Sequence, residues 1–218
     1  DQKSIDATSM VLNGLVNTRI LAICRDLDID AVGISGVDAG LVRAHRRPPV
    51  TMSDGETVDF GFVGDIDAVD PTVIRKLLDN GLMPVISPLS ADSHGTLLNI
   101  NADTVAAAIG AALSAEKLIL CTGAPGILER VEDPSSVISY TDLRGLKKMR
   151  EDGSIVDGML PKAKAIEDAI RGGVRRVHVI SYQAPEGILT EVFTNEGTGT
   201  LVVADVNALT PAEQNASS

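Results

Sequence analysis

Apolar side chains recur along this chain at two spacings, and the switches between them mark out its elements. Residues 4–26 carry them at helical period, and "DAVGISG" at 30–36 is a short apolar run closed by glycine, which predicts a strand and a turn. "VDFGFVGDIDAV" at 58–69, with Gly61 and Gly64, predicts a hairpin-like stretch. "DPTVIRKLLDNG" predicts a helix with Pro71 at its first position and Gly81 just past its end. A strand, "LMPVISPL", then leads through the turn "ADSHGT" to the apolar end of another strand at Leu97, Leu98 and Ile100. From Ala102 the composition is helical, and "EKLILCT" at 116–122 predicts a buried strand. "YTDLRGLKKMRED" and "VDGMLPKAKAIEDAIRGG" predict helices, with Pro161 limiting where the second can begin. "VRRVHVIS" and "TGTLVVA" supply late strands before the tail "DVNALTPAEQNASS". Strands and helices in this alternation predict a mainly parallel sheet covered on both faces.

The junction "LLNINADTVAAAIGAAL" at 97–113 places three polar side chains between a strand and a helix. Asn101 is a natural N-cap, and Asp103 suits the positive end of the helix dipole. Asn99 is left without a local reason. The carboxyl end of a strand facing a helix N-terminus is also where open α/β sheets bind anions, so capping and ligand binding both stay open here.

Composition narrows the field of partners. Nineteen Lys and Arg against 30 Asp and Glu give a formal net charge of −11, which argues against nucleic acid or an anionic membrane. The single basic run, "VRAHRRPP" at 42–49, reads as a solvated loop. Aromatics make up 2% of 218 residues, with no Trp, so base stacking has few candidates. Cys24 and Cys121 lie in apolar segments and read as buried thiols of a reducing, cytoplasmic compartment, with no signal peptide or membrane span visible.

Most catalytic motifs fail. "GISGV" lacks the last glycine of a nucleophile elbow, so Ser35 reads as a turn residue, and no Walker lysine follows any glycine-rich loop. His45, His94 and His178 lack metal-ligand spacing, so no protein-bound metal is expected. "CTGAPGIL" at 121–128 offers a glycine loop after a strand, as fit for a nucleotide as for a plain connection. "DGMLPKAKA" places Lys162 on a segment entered through Gly158, where an isolated lysine is ordinarily solvated.

Taken in order, these segments resemble the N-acetylglutamate kinases of the amino-acid kinase superfamily, from Asp1 to about Val203. "MVLNGLVN" resembles the family's early helix, "AVGISGVDAGL" its next strand and turn, and "DFGFVGDI" its substrate-side hairpin. "NINADTVA" resembles its Asn-x-Asn-Ala-Asp signature, "EKLILCTGAPGIL" its nucleotide strand and loop, and "DGMLPKA" its Gly-Met-x-x-Lys segment. The resemblance implies a three-layer α/β/α sandwich around a mainly parallel sheet. One amino-acid kinase domain would span 1–204, its substrate side about 1–115 and its nucleotide side about 116–204, with a flexible tail at 205–218. It implies that Asn99 and Asn101 bind N-acetylglutamate, that Asp103 orients the lysines serving the phosphate, and that Lys162 stabilises the transition state. Thr122, Gly123, Gly126, Ile127, Leu128, Gly158 and Met159 would meet ATP, whose Mg²⁺ arrives with the nucleotide. The implied reaction moves the γ-phosphate of ATP to the side-chain carboxylate of N-acetyl-L-glutamate, in arginine biosynthesis.

Two departures qualify the resemblance. The family's first strand carries a second lysine and a glycine pair, followed by a glycine-rich turn and a substrate-gripping arginine, and all of these fall before Asp1. The expectation is a chain without the N-terminal strands that turns over poorly by itself. Gly123 stands where the family usually has Asp, leaving backbone to make that loop's contacts. The alternatives are a non-catalytic ligand-binding protein on the same fold and a kinase for a related N-blocked amino acid. "VHVISYQAPEGILTEVFTNEGTGT" further resembles the arginine-inhibited branch of the family, with a His at the end of a strand. It implies an arginine site at His178, Glu191, Gly197 and Gly199, the other reading being a solvated Glu191 and a plain turn. A homo-oligomer, dimer or hexamer, is implied as well.

Overall fold

The computed structural model describes residues 1–52, 55–155, 158–194 and 197–208. The chain divides into two units, Asp1–Val105 and Ala106–Ser218.

Unit 1 opens with α1 (Gln2–Ser9), a π-helical stretch (Met10–Val16) and α2 (Asn17–Asp26). Asp1 caps the start by accepting from Ser4 N at 2.8 Å. By length and composition Gln2–Asp26 would suffice to cross a membrane, although no span was expected from the sequence. In this fold α2 packs on two strands, β1 (Ala31–Ser35) and β6 (Met83–Ser87), which pair in parallel. Asn17 is buried there and donates to Val85 O at 3.0 Å. The space comes from Gly33, where a Cβ would stand 1.9 Å from Asn17 Oδ1.

Between β1 and β6 lie β2 (Val42–Arg46), β3 (Val50–Thr51), β4 (Thr57–Val58), β5 (Gly64–Val69) and α3 (Thr72–Asp79). After β6 come β7 (Leu89–Ala91) and β8 (Leu97–Asn99), and then α4 (Ala102–Leu113), within which the unit boundary falls. A second sheet has the order β5-β2-β7-β8, and β3 pairs with β4 alone.

Two expectations are corrected in this unit. The basic run at 42–49 is not a loop over its first half: Val42 and Ala44 are buried and the intervening polar residues face outward, making β2. Residues 58–69 are not one hairpin. β4 pairs with β3 and β5 with β2, so the Gly61 stretch links two separate pairings.

Unit 2 contains β9 (Lys117–Thr122), β10 (Tyr140–Asp142), α5 (Leu143–Glu151), α6 (Leu160–Arg171), β11 (Arg176–Ser181), α7 (Gly187–Phe193) and β12 (Thr200–Val203). Its sheet order is β10-β12-β11-β9. Ala163, Ile166 and Ile170 follow helical spacing on α6 and join Val177, Val179 and Val202 in the core. Residues 140–142 form a strand rather than the first turn of a helix, because Asp142 caps α5 by accepting from Arg144 N and Gly145 N at 3.0 and 2.9 Å. The strand at 117–122 is only partly buried, with Leu120 its one buried residue, since β9 lies at the edge of its sheet. For the same reason Cys121 is exposed, while Cys24 is buried as expected.

The α/β fold stands, but its sheets are mixed. Among the described strands, β1–β6, β2–β7, β9–β11 and β10–β12 are parallel. The pairs β2–β5, β3–β4, β7–β8 and β11–β12 are antiparallel. The tail expected from 205 begins with a 3-10 turn at Val206–Ala208, and Arg144 reaches Asp205 at 3.0 Å. Residues 209–218 lie outside the described set.

Candidate functional site

In unit 1 the polar junction sits where β8 hands over to α4. Asn101 Oδ1 accepts from Thr104 N at 3.2 Å, so it caps α4 as its position predicts. Asp103 lies half-buried in the first turn, on the favourable side of the helix dipole. Asn99 ends β8 with its side chain exposed. Its backbone is held in place: Asn99 N donates to Phe62 O at 2.8 Å, beside a parallel bridge to Val63. The Asn99 carboxamide thus carries a donor and an acceptor to the surface on a fixed backbone.

The same unit holds a polar set that the sequence did not disclose. Ser35 and Ser87 are register partners at the carboxyl ends of β1 and β6, and both are buried. Ser35 N and Oγ both donate to Asp38 Oδ2 at 2.7 Å, and Ser87 Oγ donates to Asn13 Oδ1. Asn13 reaches that position from the π-helical stretch, which apolar periodicity does not reveal. Ser35 ends a strand, with its hydroxyl serving the turn that follows.

In unit 2 the glycine loop after β9 divides into a fixed part and an open part. Ile127 N donates to Thr200 Oγ1 at 2.8 Å, Ile127 O accepts from Ile138 N at 2.9 Å, and the side chain is in the core. Leu128 is bridged to Val137. A Cβ at Gly126 would stand 2.8 Å from Thr200 Oγ1 and 2.9 Å from Val137 Cγ1, so packing alone requires glycine there. Gly126 and Ile127 are therefore buried and held by the protein itself, Thr122 and Leu128 are half-buried, and Gly123 is exposed. Gly123 is not demanded by packing: its nearest neighbours are atoms of the Tyr182 side chain, from 3.5 Å.

Gly158 is exposed, and Met159 is the N-cap of α6, packed against the core. Lys162 follows in the first turn of α6, half-buried. A cation there lies at the positive end of the helix dipole.

The four residues assigned to an effector do converge within unit 2. His178 lies inside β11 rather than at its end, opposite Ile119 and Leu201. Its Nδ1 is 2.5 Å from Glu191 Oε1, and both residues are buried, at 6% and 5% exposure. Glu191 Oε2 accepts from Thr198 N at 2.7 Å, and Gly197 lies against the carboxylate. Glu191 is therefore not a solvated helix residue. Gly199 runs so close to β11 that a Cβ would stand 2.1 Å from Val179 O. Burial pushes the Glu191 carboxyl up, but hydrogen bonds from His178 and Thr198 and the His178 charge outweigh it, holding the pKa below the ordinary value. A carboxylate only accepts, so Nδ1 is the donor.

Comparison with known proteins places this geometry in context. The sequence profile of the amino acid kinase family matches residues 1–181. The acetylglutamate kinase of Myxococcus xanthus is 48% identical over 213 residues, covering 95% of this chain and 69% of that protein. The acetylglutamate kinase of Archaeoglobus fulgidus is 45% identical over 205 residues, covering 93% of this chain and 70% of its own. Among solved structures, N-acetylglutamate synthase from Neisseria gonorrhoeae complexed with coenzyme A and N-acetyl-glutamate superposes with a TM-score of 0.77 at 24% identity. That match covers 92% of this chain and 44% of the synthase chain, a likeness of fold.

Proposed function

The chain belongs to the amino acid kinase family, and on that premise we propose that it transfers the γ-phosphate of ATP to the side-chain carboxylate of N-acetyl-L-glutamate. The observation that carries this reading is the junction of β8 and α4, where Asn99 is exposed on a pinned backbone next to a capped helix. It is joined by 48% identity to an acetylglutamate kinase across 95% of the chain.

Phosphoryl transfer to a carboxylate brings two anions together, and the protein's work is positioning and compensating charge. In this reading the Asn99 carboxamide recognises the acceptor by donating and accepting hydrogen bonds. Asp103 orients the cationic groups that serve the phosphate. Lys162 balances the charge that develops on the transferred group, and the α6 N-terminus beside it suits the same anion. Thr122, Gly123, Gly126, Ile127, Leu128, Gly158 and Met159 are the positions that would meet the nucleotide in this reading, with Gly123 and Gly158 exposed and the buried Gly126 and Ile127 limited to backbone contacts. The donor set fits ATP better than a free metal, so Mg²⁺ would arrive bound to the phosphates, shielding their charge.

Arginine binding at Glu191 and a homo-oligomeric state belong to the same proposal. The first is supported by a buried carboxylate whose oxygens retain acceptor positions beyond their two short bonds. The second is supported by exposed Met10, Ile23 and Leu27 on the N-terminal helical run.

Steady-state kinetics test the roles. Lys162→Ala is expected to lower kcat with little change in the KM for N-acetylglutamate, and Asn99→Ala to raise that KM chiefly. Equal small changes in both parameters for both variants would reject the assignment.

A further inference from the structure

The segment that holds Asn99 in place is itself in no strand. Residues 59–63, between β4 and β5, are tied to β8 through Phe62 O and the Val63 bridge, and Gly61 turns there with φ of +67°. Two consecutive arginines account for its position. Arg46 Nη2 donates to both oxygens of Asp59, at 3.0 and 2.9 Å, while Arg46 Nε donates to Gly61 O at 2.7 Å. Asp59 closes the ring by accepting from Gly61 N at 2.8 Å. Arg47 holds the other end. Its N–H donates to Val63 O at 2.8 Å, and its guanidinium forks onto Asp65, with 2.6 Å the shortest contact. That guanidinium also lies 5.7 Å from the centre of the Phe60 ring.

From this geometry we infer that Arg46 and Arg47 are positioning residues: they fix segment 59–63 against β8, so that Asn99 meets the acceptor in one orientation. The inference rests on the reading of Asn99 as an acceptor-binding residue. Arg46 and Asp59 are each about half exposed, at 52% and 53%, and an isolated pair of that kind adds little to global stability. Here Arg47 meets the Asp65 carboxylate with two nitrogens, while Arg46 divides its fork, Nη2 to the Asp59 carboxylate and Nε to the Gly61 carbonyl, which fixes geometry more than it adds energy. The effect should therefore be local. Both act on Asn99 through the segment, Arg46 by way of Asp59 and Gly61 and Arg47 by way of Val63.

The same reasoning explains why a lysine would not serve. An ammonium at position 46 keeps the charge but cannot hold Asp59 and the Gly61 carbonyl in one plane.

The test uses the 218-residue protein and two readouts. In Arg46→Gln, amide hydrogen exchange at Asn99 is expected to quicken about tenfold, with the β2–β5 amides at Ala44 and Ile66 unchanged and the melting temperature within about 2 °C of wild type. Calorimetric affinity for N-acetylglutamate is expected to weaken about fivefold, with Arg46→Lys close to Arg46→Gln. Unchanged protection at Asn99 in both Arg46→Gln and Arg47→Gln overturns the inference, and so does lost protection with unchanged affinity. If the wild type binds no N-acetylglutamate, the reading of Asn99 fails, while exchange at Asn99 still decides whether the arginines hold the segment.

Discussion

Each unit contains a histidine paired with a carboxylate through Nδ1, and the two pairs sit in opposite surroundings. His45 and Asp67 meet at 2.7 Å across β2 and β5 with about half of each side chain exposed. His178 and Glu191 meet between β11 and α7 with 7% and 3% of their side chains exposed. The first pair exchanges water for a partner at little net gain. The second is almost wholly removed from water, so each member depends on the other for its polar contacts, and Glu191 also on the Thr198 N–H. The same pairing of imidazole with carboxylate thus lies on the surface of one unit and in the interior of the other.

Removing a member of each pair should expose the difference. Glu191→Leu leaves the buried Nδ1 of His178 without an acceptor and releases the 197–199 loop, so a loss of about 3 kcal/mol or more is expected in chemical denaturation. A loss below about 1 kcal/mol would show that this pair is no more consequential than a surface one.

Ligand binding sharpens the contrast in a second way. Glu191→Gln preserves the shape of the buried site while removing its charge, so calorimetric arginine affinity is expected to fall at least about tenfold, whereas Asp67→Asn should leave it unchanged. No arginine binding to the wild type, or equal binding to all three proteins, would reject the effector site.

Acid provides a smaller signal. Because Glu191 has a folded pKa below its ordinary 4.5, its contribution is complete above that value and is lost as pH falls through the folded pKa. Wild type should therefore lose its advantage over Glu191→Gln between about pH 5 and the lower folded value, and a pH-independent difference would contradict this. The smallest effect belongs to the exposed pair: Asp67→Ala should change stability by less than about 0.5 kcal/mol.

The parts of the fold legible in the sequence were those with strong local signals. The cap at Asn101, the core face of α6 and the end of α3 at left-handed Gly81 follow from spacing and residue chemistry. What escaped depended on partners distant in sequence. β2 reads as a basic loop until Asp59, Asp65 and Asp67, 13 to 22 residues away, are seen to answer Arg46, Arg47 and His45. The alternation of buried Val42 and Ala44 with outward Arg43 and His45 was the available signal. Glu191 looks solvated on a short helix because nothing local announces His178 behind it. Likewise Ile127 belongs to the core through Thr200, 73 residues on, a tie that a glycine-loop pattern does not reveal. Of the residues that carry the chemical proposal, Asn99 was visible as a polar group without a cap to make, whereas Lys162 read as an ordinary solvated lysine until α6 was seen to begin at Leu160, which places a cation in the first turn.

Phosphoryl transfer is read most directly in a single-turnover experiment, with enzyme in excess over ATP·Mg²⁺ and any acyl phosphate trapped by hydroxylamine. Hydroxamate is expected to form with N-acetylglutamate faster than with glutamate or N-acetylaspartate, and about a hundredfold more slowly in Lys162→Ala. No N-acetylglutamate-dependent hydroxamate, or faster formation with another acceptor, would contradict the proposed reaction.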